Sequence, residues 1–204
     1  MKLAKVMAVG MIGLMPLNAA KAQSLKLVPE AGCFGTVKTA PTAIGGLNLV
    51  HATPKNYADV FAGGTINKDG VPGFAGIAFD NFSWSKHFGS WARDLFMASK
   101  DGVTSTLDVA PIKYNVSAGN FNFSVMPAYG RYDNYTDKTA FHGIKGIVQA
   151  MYSMTPRDRL CLEMQYASTP TSNITDTYFG KPADCFNFTA TYSHDINFKP
   201  ANKQ

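Results

Sequence analysis

The stretch "CFNFTATYSHDINF", residues 185–198, decides the fold. Phe186, Phe188, Ala190, Tyr192, Ile196 and Phe198 fall on one parity, and Asn187, Thr189, Thr191, Ser193, Asp195 and Asn197 on the other. Successive side chains of a strand point to opposite faces, so strict alternation reads as β. An ordinary strand has about five or six residues. This one alternates over 14 residues and sets four aromatics on one face. A strand that long needs an environment that wants an aromatic face.

The start of the chain narrows the choice. "MKLAK" is basic, "VMAVGMIGLMPLNAA" is a short apolar run, and "AKA" at 20–22 supplies small residues before a cut at Gln23. Residues 1–22 therefore read as a bacterial secretory signal peptide. No cysteine follows the cut, which excludes a lipoprotein signal. The signal carries Lys2, Lys5 and Lys21, so the mature chain keeps 16 Lys and Arg against 14 Asp and Glu, and the formal +5 falls to +2. That balance gives no reason to expect a nucleic-acid partner.

Beyond residue 43 the chain reads as almost wholly β. "NFNFSVMPAY" (120–129), "FHGIKGIVQAMYSM" (141–154) and "LCLEMQYA" (160–167) alternate well, and 74–86, 91–99 and 104–116 less cleanly. With a first strand at 43–52 and the last at 185–198 the expected count is eight. "HFGS", "SAG" and "TPRD" make short connections, while 53–73, 133–140 and 169–184 are longer. Short turns on one side and long loops on the other mark an outer-membrane barrel. The expected fold is all-β: a single antiparallel up-and-down transmembrane barrel over 43–204, preceded by a periplasmic segment at 23–42. Its aromatic face meets lipid and its polar face lines a lumen. The rival with the same period is a soluble periplasmic, lipocalin-like barrel, apolar inside and polar outside.

Six Asn-x-Ser/Thr triplets, at Asn81, Asn115, Asn122, Asn134, Asn173 and Asn187, follow from the same pattern, because residues two apart share a face. Lys145, Gln149, Glu163 and Gln165 form a polar set on the lumen parity. Small barrels fill their interiors with side chains, so a hydrogen-bonded core is expected there. Three cysteines allow one disulfide, and Cys33–Cys161 is the pairing considered, with Cys185 at the opposite end. The cysteine spacing matches no metal motif, and no cofactor is expected.

His51 closes the first expected strand, and Asp101 sits in "SKDG". A His that takes a proton, oriented by an Asp, activates a hydroxyl for acyl transfer. "GSWARDLFMASKDG" (89–102) resembles the strand-and-loop segment of the lipid A palmitoyltransferases, eight-stranded outer-membrane enzymes. In that family a His near the end of the first strand works with an Asp–Ser pair after a similar Met-Ala-x-Lys stretch. The resemblance maps the His and Asp onto His51 and Asp101. Gly102 holds the third place, with Ser99 the nearby hydroxyl.

The function expected first is a small outer-membrane barrel without a wide pore, in a surface-contact or envelope-stabilising role. Its partners are membrane lipid and lipopolysaccharide, with an external partner meeting loops that hold Lys55, Lys68, Asp176 and Lys181. Lipid A acyl transfer is the alternative that the resemblance implies, and soluble ligand binding is the third.

Overall fold

A computed structural model describes residues 24–36, 41–53, 56–66, 73–81, 85, 87–99, 102–167 and 186–197. The expected signal peptide, Cys185, Asp101, Lys55, Lys68, Asp176 and Lys181 lie outside the described residues.

Ten long antiparallel strands close on themselves. They are β1 (Ser24–Thr36), β2 (Thr42–Ala52), β3 (Asn56–Ile66), β4 (Gly73–Asn81), β5 (Phe88–Ser99), β6 (Gly102–Ala118), β7 (Phe121–Asn134), β8 (Thr139–Ser153), β9 (Asp158–Ala167) and β10 (Phe186–His194). The two-residue β11 (Ile196–Asn197) continues β10 past Asp195. Each long strand pairs with its sequence neighbours, and β1 pairs with β10 and β11 to seal the wall. The expected up-and-down antiparallel barrel is present. Its strand number is corrected from eight to ten.

The two additional strands were expected as a periplasmic segment (23–42) and as part of a loop (53–73). Neither shows a clean polar/apolar alternation. In β1 the inward parity carries Lys26, Val28, Glu30 and Phe34, and in β3 it carries Tyr57, Asp59, Phe61 and Thr65. The outward parity of β3 holds only Ala58, Val60, Ala62 and Gly64. In β3, with aromatics inside and small residues outside, period two carries little apolar/polar contrast; in β1 the inward Val28 and Phe34 blur the contrast that Lys26 and Glu30 make with the outward Leu25 and Leu27.

The irregular reading of 104–116 also has a local cause. The register of β6 against β7 shifts between Val109 and Tyr114, a stretch that contains Pro111. Burial follows even residues from Thr106 to Ala110 and then the odd residues Lys113 and Asn115. A bulge of this kind swaps the faces of a strand, and proline is tolerated there because its missing N–H costs no ladder bond.

Two glycines let side chains lie flat on the inner wall. Gly63 pairs with Phe74, and Gly76 with Phe61. A Cβ on Gly63 would stand 2.6 Å from Phe74 Cζ, and one on Gly76 2.6 Å from Phe61 Cζ. The rings thus cover bare backbone across the strand pair, 6.4 Å apart at their centroids. With Ile44 they pack on Phe34, Leu95 and Met97 as an apolar cluster inside the barrel.

The outer face is apolar almost throughout. Leu47, Leu49, Val60, Phe79, Leu107, Val125, Ile144 and Leu162 are all exposed, Ile144 by 71%. Among the described strand residues most charges stand inside instead, with Asp94, Arg131 and Asp133 on the outward parity. Lys145 and Asp108 are each 1% exposed.

Candidate functional site: the charged lumen

The lumen is organised around Arg93 of β5. Its Nη1 donates to Glu163 Oε1 at 3.0 Å, and its Nη2 to Asp108 Oδ2 at 3.4 Å. Glu163 stands on β9, four strands from β5 around the ring, so this pair reaches across the interior. Asp108 also accepts from Lys145 Nζ at 2.6 Å. Gln149 Nε2 donates to Glu163 Oε2 at 2.6 Å, and Gln165 Nε2 donates to Glu163 Oε1. Lys145, Gln149, Glu163 and Gln165 therefore all stand in one network, and its centre, Arg93 with Asp108, was not singled out in the sequence. Arg93 lies within the same segment, 89–102, that holds Ser99.

Two further groups close the interior. Lys113 pairs with Asp80. At the start of β1 Asp195 holds Lys26 Nζ at 2.6 Å and also pairs with Arg159, which joins β1 and β9 through the residue before β11. Buried ion pairs of this kind persist only when the remaining lone pairs and protons are met as well. Between the groups lies a cavity of about 510 Å³. Glu30, Asp59, Asp80 and Thr191 are among its polar lining, and Phe34, Phe61 and Phe74 among its apolar lining.

His51 and Ser99 are not brought together. Inserting β1 reverses the direction of β2, so His51 lies beside Leu25 at the barrel end where β1 begins. Ser99 is the last residue of β5 and pairs with Gly102 at the other end. Following the register from His51 through Ala58 and Phe79 reaches Ala92 of β5. Ser99 stands seven residues further along that strand, about 23 Å. His51 also shares its outward parity with Leu47 and Leu49. The His–hydroxyl arrangement that the resemblance implies is not assembled.

Cys33 and Cys161 are free thiols, so the disulfide considered for them is not formed. Cys33 pairs with Ala190 of β10, which pairs with Leu162 of β9, leaving a whole strand between the two cysteines. Two inter-strand spacings of about 4.8 Å put the Cα atoms near 10 Å apart, beyond the roughly 7 Å a disulfide spans. They also face opposite ways, with Cys161 lining the cavity and Cys33 on the outward parity. Alkylation of the unreduced, denatured chain is expected to label both residues, and a reductant is expected to expose neither further; a Cys33–Cys161 peptide in a non-reducing digest would contradict this.

No protein-family model matches the chain, and no curated protein does. Among solved structures it is similar to the loop L8 deletion mutant of OmpT, an outer membrane protein of Vibrio cholerae, at 10% identity with a TM-score of 0.39. That match covers 83% of this chain and 59% of the OmpT chain, so this chain spans less than two thirds of its length. It is also similar to Ail, the attachment invasion locus protein of Yersinia pestis, at 4% identity with a TM-score of 0.25, over 85% of this chain and 97% of that one.

Proposed function

We propose that the chain is a small outer-membrane β-barrel of a Gram-negative cell, with a closed lumen and a surface-contact or envelope-stabilising role. One observation carries the reading: the barrel is apolar outside and charged inside. A soluble barrel places its apolar residues in the core. Here Leu47, Val60, Val125 and Leu162 face outward while Lys145 and Asp108 are sealed within. Closing the sheet also removes every strand edge, the condition for crossing hydrocarbon with β-structure. The outer face meets lipid, and lipopolysaccharide where that leaflet contains it. An external partner meets the connections at the end remote from the start of β1.

The test is fractionation of the mature protein, followed by gels of boiled and unboiled membrane pellet. Detergent-dependent recovery with a heat-shifted band is expected; recovery in the soluble periplasmic fraction without a shift contradicts the membrane reading.

The lumen is not a wide channel in this reading, because the Arg93–Glu163 pair crosses it. Reconstituted into planar bilayers, the protein is expected to give no porin-sized conductance steps. Stable large steps would mean that the charged network opens.

A further inference from the structure

The apolar outer wall carries an acid with nothing beside it to meet it. Asp94 stands on the outward parity of β5, between Ile77 of β4 and Leu107 of β6 in the register, and between Ala92 and Phe96 along its own strand. All four neighbours are apolar. Among the described residues no Lys, Arg or His lies within ion-pair distance of it. Ionisable groups at lipid depth are costly and almost always pair.

A cation stands on the same row of the sheet. Asp94 faces Leu107, and Leu107 faces Arg131 of β7, all three on the outward parity. The Arg131 side chain is 53% exposed and turned to Asp133 of its own strand, to which Nε and Nη2 donate; Nη1 enters none of these bonds. Two inter-strand spacings of about 4.8 Å put Asp94 and Arg131 about 10 Å apart at Cα, with the exposed Leu107 midway. An acid and a cation set equally either side of an apolar residue make a self-complementary surface. A two-fold axis along the membrane normal at Leu107 brings Leu107 against the partner's Leu107, Asp94 against the partner's Arg131, and Arg131 against the partner's Asp94. Strand tilt of about 35–45° makes the row oblique, so acid and cation differ in height by about 6 Å. The walls of two barrels also curve apart either side of β6. The long arginine side chain spans both gaps.

We propose that the outer face of β5–β7 is a homodimer interface centred on Leu107, in which Asp94 of each copy pairs with the partner's Arg131. The inference rests on the membrane reading, because hydrocarbon is what makes an unmet acid on the outer wall so costly.

Crosslinking in liposomes at a low protein-to-lipid ratio tests it. Leu107→Cys is introduced where Cys33, Cys161 and Cys185 have been replaced by serine, and a short bismaleimide is added. Packed sheets stand about 10 Å apart, more than the roughly 7 Å a disulfide spans. Crosslinked dimer is expected at Leu107→Cys and little at Leu47→Cys on β2, four strands round the ring. Adding Asp94→Arg or Arg131→Asp is expected to lower the dimer about tenfold or more, because each removes a charge-assisted pair that occurs twice per dimer. The exchange Asp94→Arg/Arg131→Asp is expected to restore most of it. The unboiled gel band verifies that each variant is folded, and Asp94→Asn or Arg131→Gln, with a loss of the same sign, replaces a reversal that is not. Equal crosslinking at Leu107 and Leu47, or dimer unmoved by the folded variants, would overturn the interface while a heat-shifted membrane band leaves the membrane reading standing. Monomer alone would do the same and would leave Asp94 to lipid or to a different protein. Recovery in the soluble fraction would remove both.

Discussion

Replacing Arg93 by Met is expected to destabilise the barrel by about 3–5 kcal/mol, the range for removing one partner of a buried ion pair. The guanidinium serves two carboxylates on different strands, Glu163 at 3.0 Å and Asp108 at 3.4 Å. Without it, Glu163 keeps only the amides of Gln149 and Gln165, and Asp108 keeps only Lys145. Reversible urea unfolding in detergent or liposomes measures the loss, which should lower the midpoint at an unchanged slope. The double variant Arg93→Met/Glu163→Leu should recover part of it, because the stranded charge is then gone. A loss below about 1 kcal/mol would mean that water reaches the network and screens it.

The second large effect concerns the outer face. Leu47 is the middle residue of β2, is 46% exposed, and lies between Pro29 and Ala62 in the register. Leu25 is equally exposed but sits at the strand end, paired with His51. In a bilayer, arginine at mid-height on the lipid face costs about 2–4 kcal/mol, and near an interface about 0–1. Leu47→Arg is therefore expected to destabilise the liposome-folded barrel by about 2–4 kcal/mol, and Leu25→Arg by 1 kcal/mol or less. In a water-exposed barrel both changes would be near neutral, because surface substitutions usually fall within about 0.5 kcal/mol. The depth dependence, more than either value, separates the two environments.

How much of this was legible depended on contrast between faces. In β10 and in the first residues of β7 the lumen parity is Asn, Thr and Ser and the outer parity is Phe, Tyr and Val, so alternation locates both strands and assigns their faces. In β3 the lumen parity includes Tyr57 and Phe61 while Ala58, Ala62 and Gly64 stand outside, and in β1 Val28 and Phe34 face inward, so the contrast between the two faces fades. Without β1 the expected direction of β2 is the opposite of the observed one, which places His51 beside Leu25; Asp101 lies outside the described residues. The polar set on β8 and β9 was visible because Lys145, Gln149, Glu163 and Gln165 break runs of apolar residues at period two. Its partners Arg93 and Asp108 were not, since β5 also carries the outward Asp94 and β6 changes faces at its bulge. Only the register brings these residues together.

The claim on which the whole account rests is that the apolar face looks outward into lipid. Site-specific fluorescence quenching tests it most directly, in a background with Cys33, Cys161 and Cys185 replaced by serine. A polarity-sensitive label placed at Leu47→Cys is predicted to emit in the blue and to be quenched by spin-labelled lipid in liposomes. The same label at Thr191→Cys, which lines the lumen cavity, is predicted to be untouched by the lipid quencher. Lipid quenching at Thr191 with a water-exposed spectrum at Leu47 would contradict the account, by showing that the two faces of the barrel had been assigned the wrong way round.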